Sequence, residues 1–437
     1  MEFSSFGNKL ASHSGILHLM DDLGKAMSGH EKMIMMGGGN PAPIQEIREA
    51  WRTRMHAMLD DGAEFDRMLG NYDTPQGNRD FIAAVAEFFR REYGWPVGPE
   101  NVAVTNGSQN AFFYLFNLFA GEFPGGKRKQ ILLPLSPEYI GYLDQGLTEG
   151  MFASRRPKIE DLPNHEFKYH IDFDACAEAL DAERRERSGC LEIDGGIGAV
   201  CVSRPTNPTG NVLTDGEMRR LMNLTREKGV PLLVDNAYGL PFPGILFTKA
   251  TLEWDEHVVL SMSLSKIGLP SARTGILLAS PEVVRAISGV NAIVSLANAT
   301  VGQSVALPFF RSGEIIRLAR EIVNPFYRER SEETLSWLHE DLGDSVPWRV
   351  HKSEGAIFLW LNFPGLPISD RELYERLRAR GVLVVPGHYF FGALGVKAAE
   401  DWPHARECIR IHYAMDRADV REGVRIIADE VRRAFRQ

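Results

Sequence analysis

The sequence predicts an α/β fold: a large domain with a mainly parallel sheet between helices, followed by a smaller α+β domain. Three observations carry this. From about residue 100 to 280, short β-branched runs at 130–133, 199–203, 231–234 and 257–262 alternate with longer helical patterns, the rhythm of strand and crossover helix. After about residue 310 the pattern changes to long amphipathic helices at 314–342, in one or more pieces, and at 417–435, with a strand at 356–361 between them. The 437 residues also exceed what one hydrophobic core usually serves.

These changes divide the chain into an arm and entry segment (1–45), a large domain (46–310) and a small C-terminal α+β domain (311–437). The arm is rich in Gly, Met and His, ends in Gly37-Gly38-Gly39-Asn40-Pro41, and is expected to pack with the small domain. Composition removes several function classes. Hydrophobic residues make up 44% and charged residues 24%, near globular averages, and no apolar run is long enough to cross a bilayer. The start lacks the basic and apolar pattern of a secretory signal, so a cytoplasmic location is expected. A net charge of -9 offers no field for nucleic acid, and Lys127, Arg128 and Lys129 read as a solvated turn. Cys176, Cys190, Cys201 and Cys408 lack C-x-x-C spacing, which argues against a disulfide framework and against a metal site.

In the large domain, motifs stand just beyond the apolar runs, where open α/β sheets gather ligands. Ser263-Leu264-Ser265-Lys266 follows the run 257–262 directly. A lysine in a tight turn at the end of a buried strand is partly desolvated, so its neutral amine is accessible for a Schiff base. Arg273 comes seven residues later, after Gly268 and Pro270 let the chain turn back, and suits a phosphate beside that lysine; the alternative is two ordinary surface cations. Asn106-Gly107-Ser108-Gln109 leads from a short strand into a helix, where a small residue and amide and hydroxyl donors suit an anion, although a plain helix cap reads the same way.

Asp235 ends the apolar run 231–234, with Tyr238 three residues on. A carboxylate at a pyridine nitrogen keeps it protonated and makes the ring an electron sink; capping a following helix is the other reading. Arg204-Pro205-Thr206-Asn207-Pro208-Thr209-Gly210 is a constrained loop suited to aiming the Asn207 amide at a phenolate oxygen. Tyr139 lies past the run 130–133 and suits stacking on a flat ring, or simply core. Arg410 alternates with apolar residues on a strand, so a charge falls where burial is expected, opposite either a substrate carboxylate or an internal acid.

Taken in order, Gly39-Asn40-Pro41, Tyr72 to Gly77, Gly107 to Gln109, Tyr139, Asn207 to Gly210, Asp235 to Tyr238, Ser263 to Lys266, Arg273 and Arg410 resemble the fold type I aminotransferases over nearly the whole chain. Within that superfamily, the segments at 13–16, 37–42, 106–121, 137–142, 202–212 and 262–270 are most similar to the bacterial valine-pyruvate aminotransferases. The resemblance implies a seven-stranded large-domain sheet and the cofactor pyridoxal 5'-phosphate (PLP). Lys266 would hold the cofactor and Asp235 its ring nitrogen, with Asn207 and Tyr238 on the ring hydroxyl. Gly107, Ser108, Gln109, Ser263 and Arg273 would cradle the phosphate, Tyr139 would stack on the ring, and Gly39 and Arg410 would bind the substrate carboxylate. Tyr72 would reach the phosphate of a neighbouring subunit, which implies a homodimer with shared active sites. One departure is the spacing from lysine to arginine, seven residues where many relatives have eight.

The resemblance further implies a ping-pong exchange of an amino group between valine, or a similar aliphatic amino acid, and pyruvate, with small amino and 2-oxo acids as the only partners besides the second subunit. Ile16, Met20 and Ile357 are candidates for the side-chain pocket and equally for core. The alternatives are another fold type I PLP enzyme, such as a broad-specificity aminotransferase or a β-lyase. More remote is a regulatory sensor domain, for which no helix-turn-helix pattern is present.

Overall fold

The apolar runs at 130–133, 199–203, 231–234 and 257–262 become the strands Arg128–Leu133, Ile197–Ser203, Leu232–Asp235 and Val258–Ser263 in a computed structural model that describes residues 2–11, 17, 24, 33–181 and 196–436. Nearly every residue in them is buried, which is why they read as continuous apolar stretches and not as alternating ones. The chain divides into two compact units, one of Met1–Gly39, Phe119–Leu213 and Tyr327–Gln437, the other of Asn40–Leu118 and Thr214–Phe326.

In the second unit four strands lie in the order Val102–Thr105, Gly275–Leu278, Val258–Ser263, Leu232–Asp235. The last two run parallel, with Asp235 in register with Ser261. Helix Arg79–Tyr93 forms because Asn78 caps it, accepting a hydrogen bond from Phe81 N at 3.0 Å, and it ends at Gly94 in the left-handed region. Its buried face carries Phe81, Val85, Phe88 and Phe89. Phe310 meets Phe81, Phe88 and Phe242 edge-on at 5.3, 5.4 and 5.2 Å, so Phe310→Ala would open this core at a cost of about 3–5 kcal/mol.

In the first unit Arg128–Leu133 pairs in parallel with Ile197–Ser203 and Phe152–Ser154, and antiparallel with Gly121–Glu122. A separate six-stranded sheet runs Val385–Pro386, Cys408–His412, Phe358–Asn362, Arg349–His351, Glu166–His170, Lys158–Asp161. Helix Arg417–Phe435, capped by Asp416, buries Val420, Val424, Ile427 and Val431 at helical spacing. The entry segment joins this unit through the hydrogen bonds Ile34 N to Gly381 O (2.8 Å), Leu383 N to Ile34 O (2.9 Å) and His412 N to Met36 O (2.7 Å).

Two expectations need correcting. Where seven mainly parallel strands were expected, the described residues form eight besides those of the six-stranded sheet, four in each unit, and pairings of both senses occur. The connection 264–274 between Val258–Ser263 and Gly275–Leu278 is too short for a crossover helix, so those strands run antiparallel. Arg128 and Lys129 open a strand instead of forming a turn, with Arg128 paired to Glu122 at 2.6 Å. The helical pattern at 314–342 comes in pieces: Glu314–Arg317, a π-helical turn Leu318–Val323, and Asn324–Leu342. Pro325 has no N–H to return to the preceding turn, and the helix widens there. Cys176, Cys201 and Cys408 are buried and in no disulfide, and burial pushes the Cys176 thiol up to about 12, while Cys190 lies outside the described residues.

Candidate active site

Lys266 stands in the 3-10 turn Ser265–Ile267, immediately past the buried strand Val258–Ser263. The turn is braced on every side. Leu264 N donates to Thr274 O at 3.1 Å, Ser265 N to Ser263 Oγ at 3.1 Å, and the Trp51 indole N–H to Ile267 O at 2.9 Å. The Lys266 amine lies 5.4 Å from the centre of the Tyr238 ring, which is itself buried. Asp235 ends the neighbouring parallel strand, and its Oδ1 accepts from Ala237 N at 3.0 Å. No helix begins in residues 236–246, all of them described, so helix capping is not the role of Asp235.

The same unit contains an anion cradle. Gly107 has φ +90°, and a Cβ there would lie 2.2 Å from Arg273 Nη2, so the guanidinium rests on the space a side chain would fill. Arg273 adopts φ 44°, a strained conformation for a non-glycine residue that aims its side chain at Gly107. Ser108 opens the helix Ser108–Phe119, with Gln109 following, so first-turn N–H groups and the positive helix end face the same loop. The Ser263 hydroxyl accepts from Ser265 N and donates to Ser265 Oγ at 3.0 Å, bracing the lysine turn. Tyr72 is 84% exposed, beside a polar hollow lined by Arg67, Asp73, Asn78, Arg79, Thr300 and Ser304.

In the first unit, Arg410 Nη1 donates to Asn207 Oδ1 at 2.7 Å, and Nη2 to the carbonyls of Gly37 (2.9 Å) and Gly38 (3.2 Å). The carbonyls engaged are therefore those of the two residues before Gly39. The guanidinium also lies 4.1 Å from the Phe358 ring centre and 5.4 Å from that of Phe390. With Oδ1 taken, the Asn207 amide nitrogen is the group left to donate. Tyr139 is half-buried, its ring against Gly141, and its N–H donates to Glu138 Oε2 at 3.1 Å. Glu138 is in turn bonded by Ser203 N at 3.0 Å and Ser203 Oγ at 2.6 Å.

Sequence reasoning missed the supports. Trp51 is one; Asn291 and Asn298 are others, each donating to both Pro75 O and Val104 O at 2.8–3.1 Å and so tying the loop after Tyr72 to the strand before Gly107. No local pattern marks any of them. Of the candidate pocket residues, Ile357 is fully buried, while Ile16 and Met20 lie outside the described residues.

The second unit thus joins a strand-end amine, a neighbouring carboxylate, a phenol and an anion cradle whose centre only glycine can line. Those residues fit a phosphorylated pyridine aldehyde: amine to aldehyde, carboxylate to ring nitrogen, cradle to phosphate. A mixed sheet with flanking helices and such a lysine define a fold type I transferase. The chain belongs to the aminotransferase class I and II family, whose profile matches residues 34–427, and it is an aminotransferase. It is 45% identical to the valine–pyruvate aminotransferase of Escherichia coli (strain K12) over 435 residues, covering 100% of this chain and 99% of that protein. A putative amino-acid aminotransferase from Psychrobacter arcticum 273-4 superposes with a TM-score of 0.94 at 43% identity, all of both chains being covered. The valine-pyruvate aminotransferase of Salmonella typhimurium LT2 gives 0.84 at 43% identity, over 97% of this chain and 100% of its own.

Proposed function

We propose that this aminotransferase uses PLP to exchange an amino group between valine, or a similar aliphatic amino acid, and pyruvate. The observation that carries the reading is the strand-end amine of Lys266 over the Tyr238 ring, one strand away from the Asp235 carboxylate. When bound, the cofactor supplies a ring that stores the electron pair released at the substrate α-carbon. Asp235 would keep the ring nitrogen protonated. Lys266 would hold the cofactor, and its Nζ is the group that would take the proton from the substrate α-carbon and return it. Tyr238 and the Asn207 amide nitrogen would donate to the ring hydroxyl, and Tyr139 would stack on the ring. Gly107, Ser108, Gln109, Ser263 and Arg273 would hold the phosphate, Ser263 also keeping the lysine turn in shape. Arg410, with Gly39 nearby, grips the substrate carboxylate. The valine and pyruvate pair rests on the 45% identity to a protein of that name.

The reading includes a homodimer in which Tyr72 reaches the partner's phosphate. Its support is an exposed set of Leu69 (61%), Tyr72 (84%), Ile293 (87%) and Leu296 (60%). These sit on two segments that Asn291 and Asn298 tie together through Pro75, and a face so apolar fits a second copy of the chain. A cytoplasmic location remains part of the reading, tested by cell fractionation. The deciding experiment is borohydride reduction of the yellow enzyme and peptide mapping: a pyridoxyl group on Lys266 is expected, and active enzyme labelled elsewhere refutes the assignment. Rates with valine, alanine, glutamate and aromatic donors, analysed for ping-pong kinetics, test the substrate pair; a strong preference for glutamate rejects it.

A further inference from the structure

Two buried charges in the first unit take no part in the chemistry proposed above. The side chains of Lys168 and Glu354 are 6% and 5% exposed and form a short ion pair. A lysine ammonium has three N–H donors. Those of Lys168 go to Glu354 Oε2, to Asn211 Oδ1 at 3.0 Å and to Val212 O at 3.0 Å. Glu354 Oε2 also accepts from Val212 N at 3.0 Å, so both backbone groups of Val212 end on the pair.

What the pair holds is the base of the loop that carries Asn207. Thr206 N donates to Asn211 O at 2.9 Å and Gly210 N to Thr206 O at 2.8 Å, closing a turn over residues 206–211. Gly210, at φ +71°, lies so close to the segment after Glu354 that a Cβ would sit 2.7 Å from Gly355 O. That segment leads into Phe358, whose ring meets the Arg410 guanidinium, while Asn207 meets the same guanidinium from the loop. Both sides of Arg410 are therefore attached to one ion pair.

We propose that Lys168 and Glu354 are positioning residues for substrate binding, an internal brace that sets Asn207 and Phe358 against Arg410 so that the guanidinium presents a fixed face to the carboxylate. This rests on the reading that Arg410 binds that carboxylate. The desolvation cost of two buried ions is comparable to their attraction, so such a pair adds orientation more than net stability. Replacing both by apolar residues of similar length removes the orientation and leaves no buried charge uncompensated, since Lys352, 3.9 Å from Glu354, is 46% exposed.

The test is the double variant Lys168→Met/Glu354→Met, with Arg410→Lys beside it, both as full-length holoenzyme. Three quantities are read: melting temperature, KM against kcat for the amino donor, and the dissociation constant of isovalerate, a carboxylate without an amine. The double variant is expected to melt below the parent temperature, because Asn211 Oδ1 and both backbone groups of Val212 lose these partners, and to show KM and the isovalerate constant raised about tenfold, the scale of one lost hydrogen bond to a charged group, with kcat little changed. A double variant with parental KM and isovalerate binding overturns the brace, as does one that fails to fold. Arg410→Lys separates the two layers: if it leaves isovalerate binding unchanged, the carboxylate assignment itself fails; if it alone weakens binding, only the brace does.

Discussion

Gly107→Ala puts the anion cradle to a quantitative test. The new Cβ would stand 2.2 Å from Arg273 Nη2 and 2.8 Å from its Cζ, distances no pair of atoms holds, at a backbone φ of +90°. The backbone term costs about 1–2 kcal/mol, as for any L-residue placed in the left-handed region. The clash adds something separate, because the flexible end of Arg273 must swing away from the loop. A hydrogen bond to a charged group contributes about 1.5–3 kcal/mol, so losing that grip on the phosphate weakens cofactor binding roughly 10- to 150-fold. Gly125→Ala is the matched control: φ is +83° but nothing lies within 4 Å, so it carries the backbone strain alone. Titrating the two apo variants with pyridoxal phosphate and melting both separates the terms. Similar losses of stability with weakened cofactor affinity only in Gly107→Ala are expected; cofactor affinities within twofold of each other would refute the cradle.

Three further perturbations act on single contacts. Trp51→Phe keeps the ring packing but leaves the buried Ile267 carbonyl without its 2.9 Å donor, so denaturation should shift by about 1–3 kcal/mol, and an unchanged midpoint would show the bond to be immaterial. Arg410→Lys loses the planar fork that bonds Asn207, Gly37 and Gly38 together, and the amino-donor KM is expected to rise about 10- to 100-fold in steady-state assays. His404 is buried 2.5 Å from the Tyr169 hydroxyl, and burial lowers its pKa to about 3 from the ordinary 6.5. The unfolded chain takes up a proton below about pH 6.5 that the folded chain refuses, so this contribution is complete above that pH and is lost as pH falls toward 3. Wild type should lose stability relative to His404→Gln by roughly 1.4 kcal/mol per pH unit over that window, and parallel stability curves would contradict it.

The candidate site residues could be picked out in the sequence because each stands in a short local signature. Lys266, Asp235, Asn207 and Tyr139 all follow apolar runs that end in small or polar residues, and Gly107-Ser108 marks a helix start within a few positions. Their supports were not legible, because they join distant parts of the chain. Trp51 meets Ile267 across 216 positions, Asn298 meets Val104 across 194 and Lys168 meets Glu354 across 186, and no periodicity records such pairs. Backbone acceptors leave no trace either: Arg410 bonds carbonyls at Gly37 and Gly38, which any residue type would supply. Asp235 shows the converse, since its sequence suited a helix cap equally well and only the absence of a helix after it decides the matter.

The position of these groups at strand ends has a physical cause. Within a strand both backbone polar groups are committed to the ladder and alternate side chains to opposite faces, so the first residues beyond it are the first with freedom to turn toward a ligand. Parallel neighbours end on the same side, which brings Asp235, in register with Ser261, beside the turn of Lys266. The strand Val258–Ser263 is also held antiparallel by Gly275–Leu278, with Ser263 opposite Gly275, so the exit toward Lys266 is fixed from both sides. Shortening this strand by one residue would reverse the face of every side chain up to the turn and draw the amine back by about 3.3 Å. A one-residue deletion at Val259 is therefore expected to abolish borohydride labelling of the lysine even in protein that still folds, whereas Lys266→Arg, which keeps the register, abolishes labelling without disturbing the melting temperature.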